Sequence, residues 1–118
     1  GVMEVHPPRV LRHDAERPRM GGAGSIEAGG MIIGEWTLTT ASWSDRHDHV
    51  EVNYVLDGEL HVTSDGVTEV LGPGETVVIE AGRLARYEAP TFARMLFIYG
   101  PADGGHRSRD ERYEELNG

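Results

Sequence analysis

Four side chains able to bind a metal ion alternate along one stretch of the chain: Asp45, His47, His49 and Glu51. The segment 47–56 is predicted as a β-strand, and alternate residues of a strand share one face. Same-face neighbours lie about 6.7 Å apart, so adjacent members can share an ion, whereas His47 and Glu51 do so only if the strand bends inward. Two imidazoles and a carboxylate suit Fe, Mn, Ni or Zn as divalent ions. These four residues are the predicted metal ligands.

The polar row continues through Asn53 to Val55. Asp57-Gly58 is a strong signal for a two-residue hairpin, which would place Leu60 and Val62 on the same face as Val55. Apolar residues on that face predict that the polar row lines an enclosed interior. The alternative is that the histidines face water at the end of the strand.

The same interior could bind an organic ligand without a metal. Tyr87 has the inward parity of its strand, with core packing as the alternative role. Arg86 could pair with a carboxylate or phosphate, although a surface position is the commoner case, and Trp43 could serve a ligand or simply pack. The predicted ligand is a small polar or anionic metabolite, and its predicted binding residues are Asn53, Tyr87, Arg86 and Trp43.

Short strands separated by turns must position these residues. From residue 31 to residue 100, strand-like segments alternate with Gly- and Pro-containing turns and leave no room for a helix, which is typical of an all-β sandwich or barrel. We predict a strand over 31–40, a break at 42–46 and a further turn at Asp65-Gly66. The predicted organisation is a single domain with an extended N-terminal arm (1–24), a barrel (25–101) and a tail (102–118) that forms a short charged helix or stays disordered.

Composition narrows the classes of function. The formal net charge is −9, all basic side chains other than histidine are arginines, and there is no cysteine. This charge disfavours a nucleic-acid partner, and the lack of cysteine excludes disulfides and thiolate ligands. No apolar run is long enough to cross a membrane, so we expect a cytoplasmic protein with no membrane partner. An apolar outer face made by Val50, Val52, Tyr54 and Leu56 predicts a homodimer.

The spacing of Glu51 and Gly58 resembles the first motif of the cupin superfamily, in which two histidines precede a glutamate and a glycine. The second motif histidine falls on His47 and the first on Asp45. In the second motif, Gly74 and Gly82 fit, but Glu80 replaces the proline and Ala85 the histidine. The resemblance implies a small single-domain jelly-roll, a double-stranded β-barrel.

Within that superfamily, the chain is similar to the cupin domains of EutQ-type ethanolamine-utilisation proteins. The similar segments are 54–62, the turn 72–75 and 97–101. This resemblance implies a dimer with an accessory or binding role and without the full set of cupin metal ligands. Acetate-kinase activity has been associated with the family, but this sequence has neither a lysine nor a glycine-rich loop before a helix. The alternative is a metal-dependent cupin enzyme, an oxygenase, isomerase or lyase, that uses His47, His49 and Glu51.

Overall fold

A computed structural model describes residues 2–101 and 108–117. The described residues form strands and turns without any helix. The strands are β1 (Arg12–Asp14), β2 (Arg17–Ala28), β3 (Met31–His47), β4 (Val50–Gly58), β5 (Leu60–Ser64), β6 (Val67–Leu71), β7 (Thr76–Ile79), β8 (Leu84–Gly100) and β9 (Ser108–Glu115). Because no helix occurs in 2–101 or 108–117, this part of the chain contains none that could cross a membrane.

Two long strands, β3 and β8, pair with each other along most of their length and divide the barrel into two layers. In the first layer, the early part of β3 and the late part of β8 are joined by β2, β4 and β7. In the second layer, the late part of β3 and the early part of β8 are joined by β9, β5 and β6. All of these pairs are antiparallel. The predicted all-β fold is confirmed.

The layers separate where the long strands become irregular. Thr40 has a positive φ of 47°, and the β3–β8 register shifts between Thr39 and Ala41. Such a bulge bends a strand and increases its twist. The bend lets one strand contribute to both layers, whose inner side chains then meet in a common core. The largest fully buried apolar side chains of this core are Leu38, Val55, Leu60 and Met95.

Parts of the predicted arm and of the predicted tail belong to the sheet. Strand β2 begins at Arg17, inside the predicted arm, and β9 forms a strand where a helix or disorder was predicted. The guanidinium of Arg19 links the two ends by donating to the carbonyls of Thr40 and Leu116, each at 3.0 Å. Residues 102–107, the first part of the predicted tail, lie outside the described residues.

The predicted hairpin at Asp65-Gly66 is confirmed, because Ser64 pairs with Val67 and both turn residues have positive φ. The predicted hairpin at Asp57-Gly58 is wrong. Gly58 has the expected positive φ, 82°, but it pairs with Ala93 of β8 rather than turning β4 back on β5. The chain passes from the first layer to the second at this glycine.

The predicted break at 42–46 is also wrong, and the predicted strand at 47–56 is formed only from residue 50 onward. Strand β3 continues to His47, and β4 starts only at Val50. Asp45 and His47 therefore belong to the second layer, while Glu51 belongs to the first. The four predicted ligands do not form one row on one strand. They approach the interior from different strands and from the connection that joins them.

Candidate functional site

A cavity of about 400 Å³ opens between the two layers near the ends of β3 and β9. Its wall includes carboxylates from both layers and several aromatic rings. Six residues define its character: Trp36, Trp43, Asp45, His47, Glu51 and Tyr99. The volume falls in the range of about 300–1,000 Å³ that small-molecule sites usually have.

A hydrogen-bond network at the inner end of this cavity joins the two layers. The Trp36 indole Nε1–H donates to Asn53 Oδ1 at 2.8 Å. Asn53 Nδ2 donates to Glu51 Oε1 at 2.9 Å, and the Tyr87 hydroxyl donates to the same oxygen at 3.2 Å. Asn53 is fully buried and Tyr87 nearly so. Because buried polar groups are costly unless they are paired, this network fixes the side chains that face the cavity.

Two neighbouring carboxylates, Glu51 and Asp45, give this part of the site a negative electrostatic potential. Burial is the largest cause that raises the pKa of Glu51, and repulsion from the Asp45 carboxylate raises it further; the hydrogen bonds from Asn53 and Tyr87 lower it in part. Asp45 itself is 8% exposed. Its Oδ2 accepts a hydrogen bond from the Ser108 hydroxyl at 2.6 Å. Strand β9 thus holds Asp45 in the cavity wall.

Tyr87 is protonated at neutral pH and acts as a donor toward Glu51. Burial raises its pKa well above the usual range, and the charges of Glu51 and Asp45 add to this effect. Burial likewise raises the pKa of Tyr99, with a smaller contribution from Glu51. Both phenols therefore supply hydroxyl groups, rather than phenolates, to the interior.

His47 and His49 lie close to each other beside Tyr99. Their ring centroids are 5.6 Å apart, and those of His47 and Tyr99 are 4.6 Å apart. His47 ends β3, whereas His49 is in the connection before β4 and is buried. The expectation that these imidazoles point away from bulk water agrees with the burial of His49, although the strand on which it was based is not formed.

Asp45, His47 and Glu51 line the same cavity, but the predicted ligands do not form a recognisable coordination group. Within residues 2–101 and 108–117, no group of three or more His, Asp and Glu side chains is arranged to hold a metal ion. Glu51 Oε1 already accepts two hydrogen bonds, and Ala85 stands where the superfamily has a further histidine. Metal binding by Asp45, His47, His49 and Glu51 stays a prediction.

The predicted ligand-binding residues divide into two groups. Asn53 and Tyr87 belong to the buried network, and Trp43 lines the cavity. Arg86 lies elsewhere. Its Nη2 pairs with Glu88 at 2.9 Å, and it lines a second cavity, between β9 and the β5–β6 hairpin. Arg86 points away from Tyr87 because adjacent residues of a strand face opposite sides of a sheet.

Several residues of the site were not predicted from the sequence. Trp36 was not among the predicted site residues, yet its indole N–H donates to the buried Asn53 Oδ1. Tyr99 and Ser108 were assigned no role. A partner for Asn53 could have been predicted from the sequence, since a buried asparagine requires hydrogen-bond partners. The contribution of Ser108 could not, because it depends on the pairing of β9 with β3.

Comparisons with known proteins agree with this architecture. The model of the cupin domain family matches residues 35–99. Acetate kinase EutQ of Clostridioides difficile is 33% identical over 88 residues, which are 75% of this chain and 49% of that protein. Acetate kinase EutQ of Salmonella typhimurium is 32% identical over 80 residues, 68% of this chain and 33% of that protein. The chain thus spans half or less of the length of these relatives.

Solved structures show the same fold. The Clostridium difficile EutQ protein superimposes with a TM-score of 0.66 at 23% identity, covering 78% of this chain and 71% of that one. An RmlC-like cupin from Shewanella frigidimarina gives a TM-score of 0.71 at 19% identity, covering 87% and 93%. With two layers of antiparallel strands around a polar cavity and a family match over more than half of its length, the chain belongs to the cupin family and is similar to the EutQ proteins within it.

Proposed function

We propose that this chain is an EutQ-like binding domain that takes up a small polar metabolite in the cavity between its layers and serves an accessory role. The observation that carries the proposal is the buried network of Trp36, Asn53, Glu51 and Tyr87. A polar network in a core normally costs stability relative to apolar packing. Because this network lies at the inner end of an open cavity, it can orient the polar part of a bound ligand.

The walls of the cavity support the same proposal. Trp36, Trp43 and Tyr99 supply apolar area, and Glu51 is the polar group held in place at the inner end of the cavity. Small-molecule sites commonly combine mostly apolar walls with a few fixed polar groups. The side chains at the inner end are held by hydrogen bonds and packing, so little of the binding free energy is lost in ordering them.

The kinase activity in the name of the relatives is not part of this proposal. The chain matches 49% and 33% of the lengths of those two proteins. In addition, the charges of Asp45 and Glu51 would repel the phosphate groups of a nucleotide in this cavity.

The test is a ligand screen of the purified chain, in which the indole N–H signals of Trp36 and Trp43 are followed by NMR. We expect a small polar metabolite to shift both signals, and Trp43→Ala to weaken its binding at least tenfold. The control is His61→Ala, because His61 pairs with Glu59 on the outer side of β5. Binding that shifts neither indole, or that both variants weaken equally, would contradict a site in this cavity.

A metal-dependent cupin enzyme is the second candidate, and the proximity of the His47 and His49 rings favours it. Metal analysis of the purified chain by mass spectrometry, expressed per chain, tests this candidate. One bound ion, with affinity lowered at least tenfold by His49→Ala and unchanged by His61→Ala, would support it. A metal-free protein that still binds its organic ligand would exclude it.

A further inference from the structure

The cavity has an excess of negative charge. Five carboxylates and two guanidiniums line it, and one of the five, Glu35, pairs with Arg94 at 2.6 Å. The two innermost carboxylates are Asp45 and Glu51. Their hydrogen-bond partners are the uncharged groups of Ser108, Asn53 and Tyr87.

Neither inner carboxylate is neutralised by an arginine in the part of the chain that the structure describes. One of the two guanidiniums that line the cavity is that of Arg17. It lies over the Trp43 ring, 4.7 Å from the centroid, and not on Asp45. Buried carboxylates that no arginine within 2–101 or 108–117 neutralises are costly to keep charged, so a ligand that supplies a positive charge is favoured over one that does not.

The aromatic walls favour the same class of ligand. Trp36, Trp43, Phe97 and Tyr99 surround the space, and ring faces attract cations. The position of Arg17 on Trp43 shows that this wall already holds one cationic group of the chain itself. An anion would meet these ring faces and two carboxylates.

We propose that the ligand of the cavity is a small organic ammonium, whose nitrogen is held by Asp45 and Glu51 while the aromatic wall encloses its apolar part. This inference rests on the proposed function, because it names the class of ligand for the same cavity. It replaces the anionic ligand that Arg86 suggested in the sequence, since Arg86 lies outside the cavity and is paired with Glu88.

The experiment is an NMR titration at constant ionic strength with three probes of matched size: n-butylammonium, 1-butanol and butyrate. We expect n-butylammonium to shift the Trp36 and Trp43 indole signals and to bind at least tenfold more tightly than either other probe. Glu51→Gln and Asp45→Asn should each weaken its binding at least tenfold. The matched control is Glu69→Gln, at an exposed position of β6, which should leave the affinity unchanged.

The outcomes separate this inference from the proposed function. Tighter binding of butyrate or 1-butanol at the same indoles would overturn the cationic class and leave the binding cavity intact. If none of the probes shifts either indole at millimolar concentration, both proposals are overturned. Thermal unfolding of each variant establishes that it is folded, and use of two separate carboxylate variants keeps the test decisive if one of them is not.

Discussion

The outer faces of the two layers carry equivalent rows of five residues, one from each paired strand, and the rows differ in polarity. Across the first layer the row is apolar: Ile26, Ile33, Ile98, Val52 and Val78. Across the second layer it is polar: Arg112, Ser44, Arg86, Thr63 and Thr68. The two layers share a core, so their inner faces meet the same requirement. Their outer faces are suited to different surroundings.

The difference predicts which face a homodimer would cover. None of the five apolar residues is fully buried, and Val78 is 60% exposed. A continuous apolar row across a sheet is unusual on a surface that faces water only. The polar row can remain solvated. We therefore expect the predicted homodimer to form through the first layer, with the second layer facing water.

The largest loss of stability is expected from a substitution at Gly58, where the chain passes from the first layer to the second. Gly58 has a φ of 82°, and a Cβ at this position would collide with the Phe92 carbonyl. Gly58→Val should lower the free energy of unfolding by more than about 3 kcal/mol, because backbone strain and steric overlap act together. Chemical denaturation measures this change.

A matched control is Gly66→Val in the β5–β6 turn. Gly66 also has a positive φ, 76°, but its Cβ would meet no atom within 4 Å. Gly66→Val should therefore lower the free energy of unfolding by less than Gly58→Val does. Equal losses would show that the conformation alone matters and that the close approach between β4 and β8 does not.

The next effect tests the contrast between the two outer rows. Val52→Asp, in the apolar row, should raise the dissociation constant of the dimer at least 100-fold, or about 2.7 kcal/mol, because a charge would be buried in the interface. Thr63→Asp, in the polar row, should change the dissociation constant of the dimer by no more than about twofold, because a charge at a solvated position interacts weakly. Sedimentation equilibrium measures both. A monomeric wild-type protein at micromolar concentration would refute the assignment of the first layer as an interface.

A smaller effect concerns Glu51, which connects the first layer to Tyr87 of the second. Because its pKa is raised in the folded state, the fold holds this proton more tightly than the unfolded chain does. The contribution of Glu51 to stability is therefore most favourable below its unfolded pKa and is lost as pH rises through the folded pKa. Glu51→Gln should stabilise the fold by about 1 kcal/mol at neutral pH, the usual scale of a single substitution.

The advantage of Glu51→Gln should vanish in acid, below the unfolded pKa, where both proteins carry an uncharged side chain at this position. Thermal unfolding as a function of pH gives the comparison, with Glu69→Gln as the exposed reference. A variant less stable than wild type at neutral pH would show that the hydrogen bonds to the carboxylate outweigh the cost of its burial.

The smallest effect is expected for Arg86 in the polar row. Its ion pair with Glu88 is partly exposed, and pairs of this kind contribute about 0.2–1 kcal/mol. Arg86→Ala should change the free energy of unfolding within that range, less so at high salt, and should leave ligand affinity unaltered. Loss of ligand binding in Arg86→Ala would place the site in the second cavity instead.

The sequence predicted those parts of the site that depend on local pattern. Strand alternation correctly turned Asn53 and Tyr87 inward and buried Val55, Leu60 and Val62. It failed at Asp48 and His49, where the chain leaves β3 for β4 without a glycine or proline to mark the turn. The position of that turn follows from the pairing of both strands with β8.

The ends of the chain could not be predicted for a similar reason. Strands β2 and β9 lack a clear alternating pattern, and each is stabilised by β3 and by the hydrogen bonds of Arg19. Short polar segments of this type become strands only when a partner edge is present. The structure of β2 and β9 depends on the assembled sheet, so it cannot be predicted from the local sequence pattern.

The pairing of β3 with β8 also determines how the molecule comes to be folded. Every pair in that ladder, from Arg46↔Leu84 to Ile32↔Tyr99, joins residues far apart in sequence. Contacts of this range require closure of a long loop before they are stabilised, so folding should be slow, in milliseconds to seconds. During synthesis, β3 cannot pair with β8 until β8 has left the ribosome, whereas the β1–β2, β2–β3 and β5–β6 hairpins can form early from neighbouring residues. Until then the edges of β3 and β4 that pair with β8 are exposed to other chains, so we expect slow translation through β8 to lower the yield of folded protein.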